Sequence, residues 1–272
     1  MSVYEAALWG LLQGLTEFLP VSSSGHLVLV PWLLGLGVPS VTFDVLVHLA
    51  TLAAVLIFFR AELAMLIKGG IQILATRRVA TSEARLAWLV IISSIPAAAA
   101  GLLLESVLER AFAVPGAVAV ALLITGTVLY LADKSRGTRA IPDLSWKDAA
   151  VIGLAQAVAL IPGISRSGAT MSAGLGRGLT RGEAARYAFV MSIPVVAAAA
   201  AKELLDMLTG TIPSDGYGAM AVGMTIAFGS GYLALSVLFR HVQRHGLRVF
   251  SIYCWALGLL SLVVLLVRAA WV

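Results

Sequence analysis

Apolar residues dominate the chain in long runs, and the runs break in a regular way. A helix that crosses a bilayer needs about 20 mostly apolar residues. Six stretches qualify: 42–59, 87–104, 115–132, 184–204, 218–239 and 250–267. Two further apolar stretches do not. Residues 10–26 read GLLQGLTEFLPVSSSGH and residues 153–168 read GLAQAVALIPGISRSG. Each is interrupted near its middle by proline, glycine and serine, leaving arms too short to cross singly. Non-helical backbone at membrane depth is tolerated only where it is buried in protein or lines water. The pattern therefore predicts an all-α polytopic membrane protein with six transmembrane helices and two re-entrant helical hairpins.

The two interrupted stretches are copies of each other. With Gly10 set on Gly153, Leu11, Gln13, Ser22, Ser24 and Gly25 fall on Leu154, Gln156, Ser165, Ser167 and Gly168. The copies differ where it matters: Glu17 corresponds to Leu160, and Ser23 to Arg166. The chain reads as a single integral-membrane domain, 1–272, with internal repeats of approximately 1–132 and 147–270. Charge supplies an orientation. With the 60–86 loop in the cytoplasm and each span reversing the side, fifteen Lys and Arg lie inside, from Arg60 to Arg248. Only Arg110, Lys202 and Arg268 lie outside, with Arg166 set apart in the second hairpin. That asymmetry follows the positive-inside rule. Three spans separate the hairpins, so they enter from opposite sides, and their tips are expected to meet near mid-depth as an inverted repeat.

Composition agrees. The 272 residues are 60% hydrophobic and 12% charged, with mean hydropathy +0.97. A soluble domain carries roughly twice that charge. Cys254 is the chain's one cysteine, which excludes a disulfide framework or a thiol metal site. The opening MSVYEAALWGLL lacks a basic segment and a small-residue cleavage site, so no removable signal is expected. The net charge of +5 sits in short loops, where it fits topology better than a nucleic-acid partner.

The tips carry the candidate chemistry. Charged and titratable groups at membrane depth are costly and call for a functional explanation. Hydroxyls and backbone amides at a helix N-terminus suit an anion, and the Arg166 guanidinium matches phosphate or carboxylate. Ser165, Ser167 and Thr170 add donors beside it, and Ser22, Ser24 and Gly163 stand at the same two turns. Glu17 with His26 points to reaction beyond binding: the imidazole can move a proton, and the carboxylate can hold a divalent cation or polarise a nucleophile. Ser23 is the candidate nucleophile, with an activated water as the alternative. Singly, a serine–glycine turn is as often a packing surface and a lone histidine more often structural; jointly, in duplicated positions, they favour a site. Asp44 and His48, four apart with Thr51 on the same face, fit either the cavity wall or structural pairing. Glu105, Glu109 and Arg110 read as a short solvated outer loop. Trp9, Trp32, Trp255 and Trp271 read as interface anchors, and Arg240, Arg244 and Arg248 as a basic stripe facing anionic lipid.

At these residues the chain resembles the undecaprenyl-diphosphate phosphatase family, also called the bacitracin-resistance family. The family pattern is an (E/Q)xxxE element running into FLPVSSSGH, here Gln13–Glu17 and Phe18 to His26, and a PGxSRSxxT element, here Pro162 to Thr170. The resemblance implies a membrane hydrolase that removes the terminal phosphate of a polyprenyl diphosphate lipid. It would act at the outer face of a bacterial cytoplasmic membrane, supplying the monophosphate carrier for cell-wall synthesis. It further implies Glu17 and His26 as the essential acid and imidazole, Ser23 as nucleophile, Arg166 as phosphate clamp, and Mg²⁺ or Ca²⁺ with Glu17 as a metal ligand. Gln13 and the remaining Ser, Gly and Thr of the two motifs would bind substrate. Many members have Glu at the place of Gln13, which would lower cation affinity here. A second copy of the chain, as a homodimer, is a compatible partner. The rival class is a transporter: a lipid-phosphate flippase would share the inverted-repeat architecture.

Overall fold

The structure, a computed structural model, describes residues 1–209 and 217–270. Trp271 and the side chains of Glu105 and Glu109 lie outside the described residues. Twelve helices are described, in chain order: α1 (Val3–Phe18), α2 (Ser23–Leu34), α3 (Val41–Phe58), α4 (Arg60–Thr76), α5 (Ser82–Leu103), α6 (Glu105–Phe112), α7 (Pro115–Ala132), α8 (Trp146–Val158), α9 (Arg166–Gly176), α10 (Arg181–Thr209), α11 (Tyr217–His245) and α12 (Arg248–Ala270). Six of these are long and apolar enough to cross a membrane: α3, α5, α7, α10 over Arg181–Lys202, α11 and α12. They coincide with the six predicted spans. The interrupted stretches form the helix pairs α1–α2 and α8–α9, each broken at its Pro/Ser/Gly turn, as expected of re-entrant hairpins.

Several expectations need correction. Residues 60–86 are not a plain loop, because 60–76 form α4. Its packed side carries Glu62, which pairs with Arg186 at 2.9 Å, and Gly69, which lies under the first turn of α5, while Ile67, Ile71 and Leu74 are exposed. Of the segment's basic residues, Arg60 and Lys68 lie within α4, and Arg77 and Arg78 follow its end. The short outer loop likewise holds α6. Trp9 is buried, packing with Phe43 and Met220 and not at an interface.

Helix pairing crosses between the halves. Hairpin helix α1 packs along α11, and its counterpart α8 packs along α5. Span α3 contacts α11 while α10 contacts α5, and α7 pairs with α12. Exchanging the two halves maps this set of contacts onto itself. Glycine makes the hairpin contacts possible. A Cβ on Gly10 would collide with the backbone of Gly223 on α11, and one on Gly153 with the backbone of Ser93 on α5. Gly10 and Gly153 are the equivalent positions of the repeat, and small residues allow such close backbone approach within membranes.

The feet of the second pair are clasped by Asp148, buried in the first turn of α8. Its Oδ2 accepts from the Ser145 amide (2.9 Å), the Ser145 hydroxyl (2.8 Å) and Arg139 (3.0 Å), and its Oδ1 accepts from Arg177 at the end of α9 (2.5 Å). Burial opposes its ionisation, but the Ser145 bonds and the two arginines prevail and hold the carboxyl well below the ordinary aspartate value of 3.8.

Two predictions follow from this packing. Gly10→Ala must push α1 from α11 and should cost about 1–3 kcal/mol, read as a lower thermal midpoint in detergent. Asp148→Asn removes a charge that its partners stabilise, costing about 2 kcal/mol. Because the folded-state value is depressed, that contribution is complete above pH 3.8 and is lost as pH falls below it. The midpoint difference between wild type and Asp148→Asn should therefore be constant from pH 8 to pH 6 and shrink only in strong acid.

Candidate active site

The site is built where the two turns meet. Helix α1 carries Gln13 and Glu17 one turn apart, with Gln13 Nε2 donating to Glu17 Oε2 at 3.0 Å. It stops at Phe18 because Leu19, ahead of Pro20, is extended (φ −61°, ψ 142°). The chain then turns through Ser22, whose φ of +67° is a conformation few non-glycine residues adopt. Ser22 caps α2 by accepting from the Gly25 amide at 3.2 Å. The second turn repeats the plan. Ser165 caps α9 by accepting from the Gly168 amide at 3.1 Å, and Gly163 takes φ +92° against the backbone of Val118, where a Cβ would not fit. Thr125 on α7 tethers this turn, donating to the Gly163 carbonyl (3.0 Å) and accepting from the Ser165 amide (3.1 Å).

Across the junction Arg166 Nη2 donates to Glu17 Oε1 at 2.5 Å, and Ser23 Oγ donates to Glu17 Oε2 at 2.7 Å. The carboxylate is buried; the guanidinium is 31% exposed. Both open onto a cleft of about 220 Å³ lined by Glu17, Ser22, Ser23, Ser24, Ser165 and Arg166, with Phe112, Leu160, Val195 and Ala199 among its apolar walls. The positive ends of α2 and α9 face this cleft, which favours an anion there. Ser167 donates to the Leu19 carbonyl at 3.3 Å, joining one turn to the other. Thr170 donates back to the Arg166 carbonyl at 2.7 Å and so braces the turn that carries the guanidinium.

One predicted member is placed elsewhere. His26 does not line the cleft. Its Nδ1 donates to the Ser22 carbonyl at 2.8 Å, and with that tautomer Nε2 accepts from the Tyr253 hydroxyl of α12 at 2.7 Å. The ring is buried and both nitrogens are engaged, so it holds the strained Ser22 turn and does not meet Arg166 in a shared cavity. The imidazole on the cleft is His48. Its Nδ1 donates to the Asp44 carbonyl at 2.8 Å and lies 3.4 Å from Asp44 Oδ1, while Nε2 lies 4.0 Å from Glu17 Oε2. The i, i+4 spacing identified this pair in the sequence, but spacing alone does not say which way its face points.

The donor set fits a divalent cation only in company with a phosphate ligand. Among the described residues no three His, Cys, Asp or Glu side chains are grouped so as to hold a metal ion by themselves. Glu17 is the one carboxylate on the cleft, and Gln13 Oε1 beside it is buried without a partner among the described residues. Magnesium is commonly held by one or two carboxylates together with substrate phosphates, a set that Glu17 and a diphosphate would complete.

Fold and site together define a polytopic, all-helical membrane protein whose two broken helix pairs join a carboxylate, a serine hydroxyl and a guanidinium at one cleft. The chain belongs to the bacitracin resistance family: the family model described as "Bacitracin resistance protein BacA" matches residues 6–260. Relatives cover nearly its whole length. It is 41% identical to "Undecaprenyl-diphosphatase" of Elusimicrobium minutum, over 98% of this chain and 100% of that one. It is 40% identical to the protein of that name from Desulforudis audaxviator, with the same coverage, and 43% identical to "Undecaprenyl-diphosphatase 2" of Stutzerimonas stutzeri, over 97% and 98%.

The placement of His26 is testable by stability. His26→Ala removes the imidazole's bond to the Ser22 carbonyl, which keeps only the backbone amide of residue 26 (3.1 Å), and its bond to Tyr253, a loss of about 1 kcal/mol for each bond. In His26→Asn an amide N–H can stand where Nδ1 stands, so that variant should recover most of the thermal midpoint that His26→Ala loses.

Proposed function

We propose that the protein is an undecaprenyl-diphosphatase, hydrolysing the terminal phosphate of undecaprenyl diphosphate to give the monophosphate lipid. The observation that carries this reading is the convergence on Glu17: one oxygen takes the Ser23 hydroxyl and the other takes Arg166. A carboxylate at 2.7 Å from a serine Oγ is within reach of its proton. Ser23 Oγ attacks the terminal phosphorus while its proton passes to Glu17. The phosphoanhydride bond breaks, and the prenyl monophosphate leaves with the bonding electron pair. Arg166, whose remaining donors find no partner among the described residues, takes charge on the phosphoryl oxygens. Water then attacks the phosphoserine, its protons leaving with the released inorganic phosphate, and the protonated Glu17 returns its proton to Ser23 Oγ as the serine–phosphorus bond breaks. Phosphoryl transfer needs mostly positioning and charge stabilisation, and the Ser23–Glu17 contact and Arg166 supply both. A cation held by Glu17 and the diphosphate would neutralise phosphoryl charge further.

The same reading places the protein in the cytoplasmic membrane of a bacterium with the cleft open to the outer side. The basic residues gather at the opposite ends of the spans, and the cleft wall includes Phe112 of the outer helix α6. Glu17, Ser23 and Arg166 all come from one chain, so a homodimer would be an assembly of complete sites. The flippase reading is less favoured, since a carrier has no use for a serine hydrogen-bonded to a carboxylate.

Purified protein in detergent should release phosphate from undecaprenyl diphosphate with Mg²⁺ and lose that activity with EDTA. Arg166→Ala should lower turnover by about 10³–10⁵, and Glu17→Ala by a comparable factor, with thermal unfolding still cooperative. Ser23→Ala should abolish turnover, and acid quenching of wild type should trap phosphate on Ser23. Substantial residual turnover in Ser23→Ala would assign the attack to water instead.

A further inference from the structure

A second cavity, of about 460 Å³, lies between α7, α8 and α9. It is lined almost wholly by carbon: Ile124 and Val128 of α7, Val158 of α8, Ile164 of the turn, and Ala169 and Ala173 of α9. Thr125 and Ser172 also line it, but the Thr125 hydroxyl is consumed by the turn it tethers and Ser172 offers a single neutral hydroxyl, with no charged side chain in the lining. The groove is therefore no place for a headgroup. It is also not isolated, because Ile164 lines both it and the catalytic cleft. On α8 the wall passes without interruption from Val158 in the groove to Ala159 and Leu160 in the cleft.

We infer that this groove receives the phosphate-proximal isoprene units of the substrate, the chain passing over Ile164 from the cleft into the space between α7 and α9. The inference rests on the diphosphatase reading. A diphosphate at the Arg166 end of the cleft must send its lipid somewhere, and a carbon-lined groove adjoins the cleft across the Ile164 side chain. Small side chains on one wall, Ala169 and Ala173, and branched ones on the other, Ile124 and Val128, leave room for a methyl-branched chain. From Ile124 to Ala132, at 1.5 Å per residue, the groove runs about 12 Å, enough for the first units and far less than a full undecaprenyl chain. Lipid tails are as apolar as the groove, so its contribution is packing and direction more than hydrophobic transfer.

The direct test is a prenyl diphosphate carrying a photoreactive group on its second isoprene unit, cross-linked to wild-type protein in detergent and mapped by mass spectrometry. Label on α7 and α9, around Val128 and Ala169, is expected. Label confined to Val195–Ala200 of α10, the apolar rim on the other side of the cleft, would overturn the inference, as would label spread evenly over lipid-exposed helices. Filling the groove gives a kinetic check. Ala169→Leu and Val128→Trp should raise KM for undecaprenyl diphosphate about fivefold, with kcat within about twofold of wild type and thermal midpoints maintained. An unchanged KM in both folded variants would show that the groove holds only bilayer lipid. Absence of phosphate release from wild type would refute the phosphatase reading separately, since the cross-link reports chain position without turnover.

Discussion

The structure depends on one buried ion pair. Glu17 and Arg166 come from different halves of the chain, and each is expensive alone at the depth the spans imply. Together they are tolerable, because the guanidinium sits 2.5 Å from the carboxylate and Ser23 and Gln13 complete its shell. Such a pair contributes little net stability against a well-packed apolar alternative. Its retention is better explained by what it positions. Arg166 cannot reach the cleft unless the second turn stands opposite the first, so the pair holds the two halves in register at the point of chemistry.

That register is prepared by packing well away from the charges. The glycines at positions 10 and 153 let α1 and α8 lie against helices of the opposite half. Thr125 ties the second turn to α7, and Ser167 ties it to the Leu19 carbonyl of the first. From the C-terminal end of α12, Arg268 donates to the carbonyls of Trp32 and Leu33 at the end of α2, stacking its guanidinium over the Trp32 ring. Each turn is thus fixed by helices that contribute nothing to the cleft itself.

Much of this is legible in the chain before any coordinates. The six spans follow from length and hydropathy, and the two turns from proline and glycine inside apolar runs. Glu17, Ser23 and Arg166 stand out because polar groups are costly there. What the sequence leaves dark is direction. Nothing in the spacing of His26 tells that its ring turns away to Tyr253, and nothing in the Asp44–His48 spacing tells that its face turns inward. Residues 60–76 read as part of a loop because they lie between two apolar spans and fall short of one themselves, although they fold as a helix. Gln156 shows the reverse problem: it repeats Gln13, but with Leu160 where Gln13 has Glu17, both its buried amide atoms lack partners among the described residues.

The repeat also separates the serines by task. Five serines crowd the two turns, and four of them occupy equivalent positions with equivalent tasks. Ser22 and Ser165 cap their helices; Ser24 and Ser167 hydrogen-bond to those caps at 3.2 Å in both copies. Duplicated roles are structural roles, since both turns need them. Ser23 and Arg166 are the remaining equivalent pair, each the first residue of its helix. Here the copies have diverged, one into a hydroxyl and the other into a guanidinium, and both converge on the two oxygens of Glu17. Equivalent positions thus supply the two different contacts of one carboxylate, because the geometry that aims one residue at the junction aims its counterpart there from the other side.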